Sequence, residues 1–285
     1  MADTTFEVLA GGGGFFEGPR WHDGSWWVSD FYRHAVFTVA PDGTQTEVLT
    51  VDAQPSGLGW LPDGSLLVVS MKDRRVLRRS PSGDVTVHAD IADHCGGHAN
   101  DMVVDARGHA YVGNFGFDLM AGGTPASATL VHLAPDGTVE AAAGDLEFPN
   151  GMVITPDGST LIVGESMGNR YTAFTIGEAG SLSERRVWAD IEGAAPDGCA
   201  LDADGCIWAA DAFGSRLVRV AEGTGVVDEI AAPDGLGIYA CMLGGDDGRT
   251  LLACAAPSFL EHERASTREA LLLTTSVDVP HAGLP

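Results

Sequence analysis

The sequence predicts an all-β fold: a six-bladed β-propeller with four antiparallel strands per blade. Three observations predict it. A turn glycine between two apolar, alternating runs recurs six times, at Gly24, Gly64, Gly108, Gly158, Gly205 and Gly248. These glycines stand roughly 40 to 50 residues apart, the repeat length of propeller blades. Helix-period patterning is almost absent, and "SFLEHERAST" reads as no more than a short turn or loop excursion.

Each unit is built in the same order. The first two strands form a hairpin around the turn glycine, in "WHDGSWWVS", "LPDGSLLVVS", "VDARGHAYVG", "TPDGSTLIVGES", "LDADGCIWAA" and "GGDDGRTLLACA". Asp-Gly suits this place because both residues tolerate the backbone angles of tight turns. A third alternating run follows in "HAVFTVAPDG", "RRVLRRSPSG", "TLVHLAPDG", "RYTAFTIGEAG" and "RLVRVAEG". A fourth follows in most units, as in "TQTEVLTVD", "DVTVHADI" and "RRVWADI". The start, "TTFEVLAGG", alternates like an outermost strand without a blade of its own. The end, "EALLLTTSVDV", resembles the third strand of the last blade. Pairing the two closes the ring and removes two exposed strand edges. One domain over residues 1–285 is expected, with no internal linker. The longest insertion, "GFDLMAGGTPASAT" in the third unit, reads as a loop over one face.

Composition narrows the function. Apolar residues make up 45% of the chain, enough for a sizeable core, and the 38 glycines fall mostly in turn clusters. Forty acidic residues against 16 basic ones leave a net charge of −24, which repels a nucleic acid or an anionic membrane. A small molecule is the expected partner, and the protein is expected to act as a monomer. Lys72 is the only lysine, so Schiff-base chemistry and Walker-type phosphate binding are disfavoured. The five cysteines are odd in number, widely spaced and without a CxxC, which argues against a disulfide framework or zinc knuckle. "MADTTFEVLAGGGG" has no basic stretch followed by an apolar core, as a secretory leader would. A soluble, reducing, cytoplasmic setting is therefore expected. Ser56 and Ser166 lack a GxSxG context, which argues against a serine hydrolase. His22, His34, His94, His109 and His132 follow no metal-ligand spacing, and the six tryptophans suit packing between blades. Asp30, Glu165 and Asp211 end the second strands, either rimming the channel or facing solvent in turns.

The register of the repeat exposes a candidate site. Eight residues before each turn glycine lie Ser56, Asn100, Asn150, Asp197 and Ala240, with Glu17 one residue closer to its own. These positions start the innermost strands, which converge on the central channel. Four of the six carry Glu, Asn, Asn or Asp, and glycine follows in "EGP", "PSG", "PNG" and "PDG". Ordinary turn chemistry explains an Asn-Gly or Asp-Gly singly, but neither Glu17 nor the shared register. Two carboxylates and a carboxamide oxygen on one axis make a hard, anionic site. Without a cation one carboxylate would have to take up a proton. Oxygen donors favour Ca²⁺, Mg²⁺ or Mn²⁺, with Zn²⁺ compatible though better served by His or Cys. Three side-chain ligands leave coordination positions open, which suits Lewis-acid catalysis.

The stretches "FFEGPRWHDGSWWVSD", "HANDMVVDARGHAYVGN", "FPNGMVITPDGSTLIVGES" and "APDGCALDADGCIWAADAFGSRLVRV" cover most of residues 15–220. In this order they resemble the SMP-30/gluconolactonase/luciferin-regenerating-enzyme family of metal-dependent lactonases. The resemblance implies a six-bladed propeller and one divalent cation, Ca²⁺ foremost, held by Glu17, Asn150 and Asp197. It places the family's substrate-contacting channel asparagine at Asn100. Where many members carry an arginine that grips substrate hydroxyls, this chain has His98, and an acidic substrate contact falls on Asp118. Losing the arginine argues away from a sugar acid lactone, and Phe115, Phe117 and Met120 argue for a more apolar substrate. The expected reaction is hydrolysis of a lactone or related cyclic ester. Asp197 would be the general base toward water, and Asn100 would orient the carbonyl or the water. The bound cation would polarise the carbonyl. Rival readings are a non-catalytic propeller that binds a metal or a protein, and another reaction on the same site: a lyase, an isomerase or phosphoester hydrolysis.

Overall fold

A computed structural model describes residues 5–283. Residues 1–4, which open the stretch read for a leader, and residues 284–285 lie outside the described residues; the expected 1–285 domain takes in both. Six sheets of four antiparallel strands follow one another around a ring. In blades 1 to 5 the chain runs from the innermost strand outward, as in Phe16–His22, Ser25–Asp30, Ala35–Val39 and Gln45–Thr50 of blade 1. The innermost strands of blades 2 to 5 are Pro55–Trp60, Ala99–Val104, Pro149–Ile154 and Pro196–Leu201. Blade 6 takes three strands from the end of the chain, Gly237–Gly244, Thr250–Ala256 and Ala270–Ser276, and its outermost strand, Glu7–Gly13, from the start. Val8 pairs with Leu273 and Gly13 with Ala270, so the two ends seal the ring as expected.

The turn glycines set the hairpins. All six adopt positive φ, between 69 and 88°, a region that costs glycine little. In blade 1 Asp23 is also at positive φ (49°), which makes Asp23-Gly24 a two-residue turn whose twist matches the strands it joins. In blade 2 a longer turn closes with Leu61 N–H on Ser65 O (2.9 Å) and Gly64 N–H on Leu61 O (2.9 Å). Asp63 Oδ1 takes the Ser65 N–H at 2.9 Å, which is why an aspartate precedes the glycine.

Apolar faces of neighbouring blades interlock. Trp21 and Trp26 meet at 4.8 Å in blade 1 and lie against Gly244 of blade 6, where a Cβ would collide with both rings. His22 of blade 1 stacks on Trp60 of blade 2 at 3.9 Å. The cysteines are free, and Cys95, Cys199, Cys241 and Cys254 are buried. Helix is confined to the turn Ala92–His94 and the single turn Glu261–Arg264 among the described residues, and none there is long and apolar enough to cross a membrane.

Candidate functional site

Glu17, Ser56, Asn100, Asn150 and Asp197 are each the second residue of an innermost strand. The ladder slips beside them. Pro149 pairs with Glu165 but Met152 with Val163, so two residues, Asn150 and Gly151, face one. Blades 2, 3 and 5 slip at the same step, and blade 1 one residue later. Such a bulge twists the strand locally and re-aims its side chains. Glu17, Asn100, Asn150 and Asp197 line one cavity of about 110 Å³. Blade 6 departs from the pattern: Ile238 pairs with Ala255 and Ala240 with Cys254, leaving only Tyr239 unpaired. Tyr239, not Ala240, therefore lines the cavity.

The following glycines let these strands approach. A Cβ on Gly151 would run into the carbonyl oxygen of Asp197 in the next blade, and one on Gly18 into that of Ser56. Gly151→Ala is expected to wedge blades 4 and 5 apart at the site and to lower stability by about 1–3 kcal/mol in urea unfolding. An unchanged midpoint would mean that this glycine is not needed for close packing.

A chain of side-chain hydrogen bonds links four blades. Ser56 Oγ donates to Asn100 Oδ1 (3.0 Å), and Asn100 Nδ2 donates to Asn150 Oδ1 (3.0 Å). Asn150 Nδ2 donates to Ser166 Oγ (3.2 Å), which donates to Pro196 O (2.6 Å). Both carboxamides are thereby held in fixed orientations. Among the described residues the Glu17 carboxylate accepts a single hydrogen bond, from the Gly18 N–H to Oε2 (2.9 Å). Burial, then the negative charge of Asp197, pushes the Glu17 carboxyl well above the usual carboxylate range. Burial, then Asp101, pushes Asp197 up to about 8, against the Gly198 N–H and the Asn150 side chain, which lower it. Two buried acids that resist ionising together, beside a fixed carboxamide oxygen, form a donor set that fits a hard divalent cation. Among the described residues no three His, Cys, Asp or Glu side chains gather as a metal cluster. The set expected here has two carboxylates and draws its third donor from Asn150.

One cation of the fold does come close. Arg20 of blade 1 reaches the innermost strand of blade 3, where Nη2 meets Asp101 Oδ1 (3.2 Å) and Met102 O (2.6 Å). Both residues are buried, and Nη1 is held by Pro19 O (2.8 Å). The arginine is thus committed to Asp101, and the pair crosses between non-adjacent blades.

Asp30, Glu165 and Asp211 neither rim the channel nor face solvent; all three are buried. Each accepts backbone N–H groups just ahead of an innermost strand. Asp30 takes those of Gly14 (2.9 Å) and Phe15 (3.1 Å), Glu165 that of Glu147 (2.7 Å), and Asp211 that of Ala195 (3.0 Å). Arg170 and Arg216 balance Glu165 and Asp211. These carboxylates fix the chain two or three residues before Glu17, Asn150 and Asp197.

A second tier stands above the first. Two residues before the channel positions come Phe15, Gln54, His98 and Phe148, which line the cavity. Their carbonyls accept the N–H of the residue just after the second strand: Phe31 to Phe15 (3.0 Å), Met71 to Gln54 (2.8 Å), Phe115 to His98 (3.0 Å) and Ser166 to Phe148 (3.1 Å). Those four donors line the cavity too. Only His98 and Phe115 of this tier were expected, on resemblance; counting two residues up the same register finds the rest. Burial, then Lys72, lowers the pKa of His98 below the ordinary imidazole value, and Phe115 stacks on Phe148 at 4.8 Å. Asp118 differs: it is exposed, its Oδ1 takes the Ala121 N–H (3.1 Å), and it is not among the cavity-lining residues. The loop that carries it reaches the cavity through Leu119 and Met120. Phe117 is buried, edge-on to Phe148.

Comparison with known proteins agrees with this architecture. The family model for the SMP-30/Gluconolactonase/LRE-like region matches residues 15–256. A 6-deoxy-6-sulfogluconolactonase of Pseudomonas putida is 30% identical over 125 residues, 43% of this chain and 43% of its own length. A regucalcin of Danio rerio is 26% identical over 175 residues, 60% of this chain and 59% of its own. The chain thus spans less than two thirds of the length of either relative. A solved structure of a calcium-binding protein, regucalcin, from Agrobacterium tumefaciens superposes with a TM-score of 0.82 at 20% identity, covering 99% of this chain and 97% of that one. At that identity the likeness speaks for the fold.

Proposed function

This chain belongs to the SMP-30/gluconolactonase/LRE-like family, and from that premise we propose that it hydrolyses lactones or related cyclic esters with the help of one divalent cation. The observation that carries the reading is the pair of buried acids, Glu17 and Asp197, in one cavity with the carboxamides of Asn100 and Asn150. Glu17, Asn150 and Asp197 would hold the cation, Ca²⁺ foremost, with Mn²⁺, Mg²⁺ or Zn²⁺ as alternatives. When bound, it would supply polarisation of the ester carbonyl and acidify nearby water. The chain's own residues do the rest. Asp197 takes a proton from the water whose oxygen attacks the carbonyl carbon, and the ring C–O bond breaks as Asp197 passes that proton to the leaving oxygen. Asn100, gripped at both ends of its amide, orients the carbonyl. His98 and Phe115 contact the substrate, and Asp118 acts through the loop that it caps. The same reading takes residues 1–285 as one cytoplasmic domain, monomeric, acting on a small molecule.

Proton release in a pH-stat, across aliphatic, aromatic and sugar lactones with EDTA or with added Ca²⁺, Mn²⁺ or Zn²⁺, tests it. Turnover that needs the cation is the expected result. Silence on every lactone, with a cation-dependent rise in Tm, would favour the non-catalytic propeller instead.

The cation has its own signature in stability. A carboxyl whose folded pKa is raised destabilises the fold as pH climbs from its unfolded value toward its folded one. For Asp197 that window runs from the ordinary aspartate value of 3.8 to about 8. Chelated protein should therefore lose stability across this window, and added Ca²⁺ should restore more at pH 8 than at pH 5, since the ion competes with protons. At 100 times its Kd the gain is about 2.7 kcal/mol. Differential scanning fluorimetry that showed an equal or smaller Ca²⁺ shift at pH 8 would remove these acids from the site.

A further inference from the structure

Among the described residues the upper tier holds one buried side-chain polar atom that the fold leaves unsatisfied. Gln54 is 3% exposed and lines the cavity, and its Nε2 has no hydrogen-bond partner. A buried amide N–H without an acceptor is unfavourable, and native proteins rarely keep one that nothing satisfies. Its backbone is held at a φ of 70°, uncommon for a residue with a side chain. The Gln54 N–H bond to Val51 O (3.1 Å) and the Met71 N–H bond to Gln54 O (2.8 Å) pin it there.

The surroundings define what an acceptor must be attached to. Among the described residues no arginine or lysine lines the cavity, so an anionic substituent placed at Gln54 would find no basic side chain to balance it. The cavity is otherwise lined by apolar side chains such as Phe15, Phe31, Met71 and Phe148, and by Met167 and Phe213, which are 40% and 73% exposed. Grouped, exposed apolar side chains of this kind mark a surface that receives an apolar ligand.

We infer that Gln54 is a specificity-determining substrate contact. Its amide N–H, enclosed as the structure stands, turns toward the cavity and donates to one uncharged oxygen on an apolar substituent of the lactone ring, and the rest of that substituent runs along the phenylalanine and methionine side chains toward the mouth. This rests on the lactonase reading above and goes beyond it by naming the substrate class: a lactone with a long apolar arm that carries a single neutral acceptor.

Three probes test it: glucono-δ-lactone, a γ-lactone with a hexyl chain, and the same ring with a hexanoylamino chain. The apolar pair should exceed glucono-δ-lactone in kcat/KM at least about tenfold. Gln54→Leu and the near-isosteric Gln54→Met should each lower the preference for the hexanoylamino over the hexyl lactone about tenfold, one hydrogen bond's worth of discrimination, through KM. A superior glucono-δ-lactone, or the same preference in the wild type and both variants, overturns the inference while leaving the lactonase reading intact. If no lactone opens with any cation, that reading falls by itself. Calorimetric binding of the matching lactams then decides: weaker binding of the hexanoylamino lactam alone in both variants supports Gln54, and no binding of either lactam to the wild type overturns it.

Discussion

Asp197→Asn is expected to lower kcat/KM for lactones by roughly 10³-fold or more, the range that a positioned general base contributes, and at the same time to make the cation-free protein more stable. The second half separates this residue from a structural one. Burial and Asp101 hold the Asp197 carboxyl up to about 8, so its ionised form opposes folding. Asparagine keeps the shape and the acceptor oxygen and removes the charge. It also relieves Glu17, whose pKa Asp197 raises. In EDTA at pH 8 to 9 the variant should unfold later than the wild type, by on the order of 2 kcal/mol. With Ca²⁺ the order should reverse, because the variant has lost a ligand. Full turnover by Asp197→Asn would end the assignment of the base. Loss of turnover together with lower stability in EDTA would make Asp197 a structural residue.

Arg20→Met should be the most destabilising single change within reach of the site, at about 3–5 kcal/mol in urea unfolding. Arg20 and Asp101 are buried (3% and 5% exposed), and they tie blade 1 to blade 3 across the interior. Removing the guanidinium leaves the Asp101 charge buried and also frees Met102 O, its acceptor at 2.6 Å. Adding Asp101→Leu to Arg20→Met should recover a large part of the loss, since replacing both members of a buried pair by apolar groups is close to neutral. The double-mutant cycle measures this coupling. Additive losses in the cycle would show that the two side chains do not act as a pair.

What the sequence made legible follows from what the repeat enforces. The hairpin glycines are visible because positive φ restricts the residue choice at one point in each blade, and each such point pins the register of its strands. Counting from Gly158 or Gly205 therefore arrives at Asn150 and Asp197 on the cavity wall. The same count from Gly248 arrives one residue away from the cavity, at Ala240, because the ladder of blade 6 stays paired through Cys241 and Ala240 and slips only at Tyr239, whereas that of blade 5 slips at Asp197 and Gly198. Bulges leave no signature in composition. Asp30, Glu165 and Asp211 look like turn residues because they end strands; only the chain folding back over them reveals that they are buried acceptors. The Arg20–Asp101 pair joins blades that are not neighbours, so a pattern that repeats from one blade to the next carries no trace of it. Gln54 is hidden for the opposite reason: it obeys the register, but the bond it lacks cannot be read from a sequence.

The way blade 6 is assembled sets the order in which this chain can fold. Glu7–Gly13 emerges from the ribosome more than two hundred residues before its partner Ala270–Ser276. At about 5–20 residues per second, translation alone imposes a delay of ten seconds or more. Five blades can form during synthesis, but the nascent propeller stays an open arc with bare backbone donors at its edge. Its most vulnerable moment is therefore the interval before Ala270–Ser276 emerges, when a second nascent chain on the same message could supply the missing partner strand.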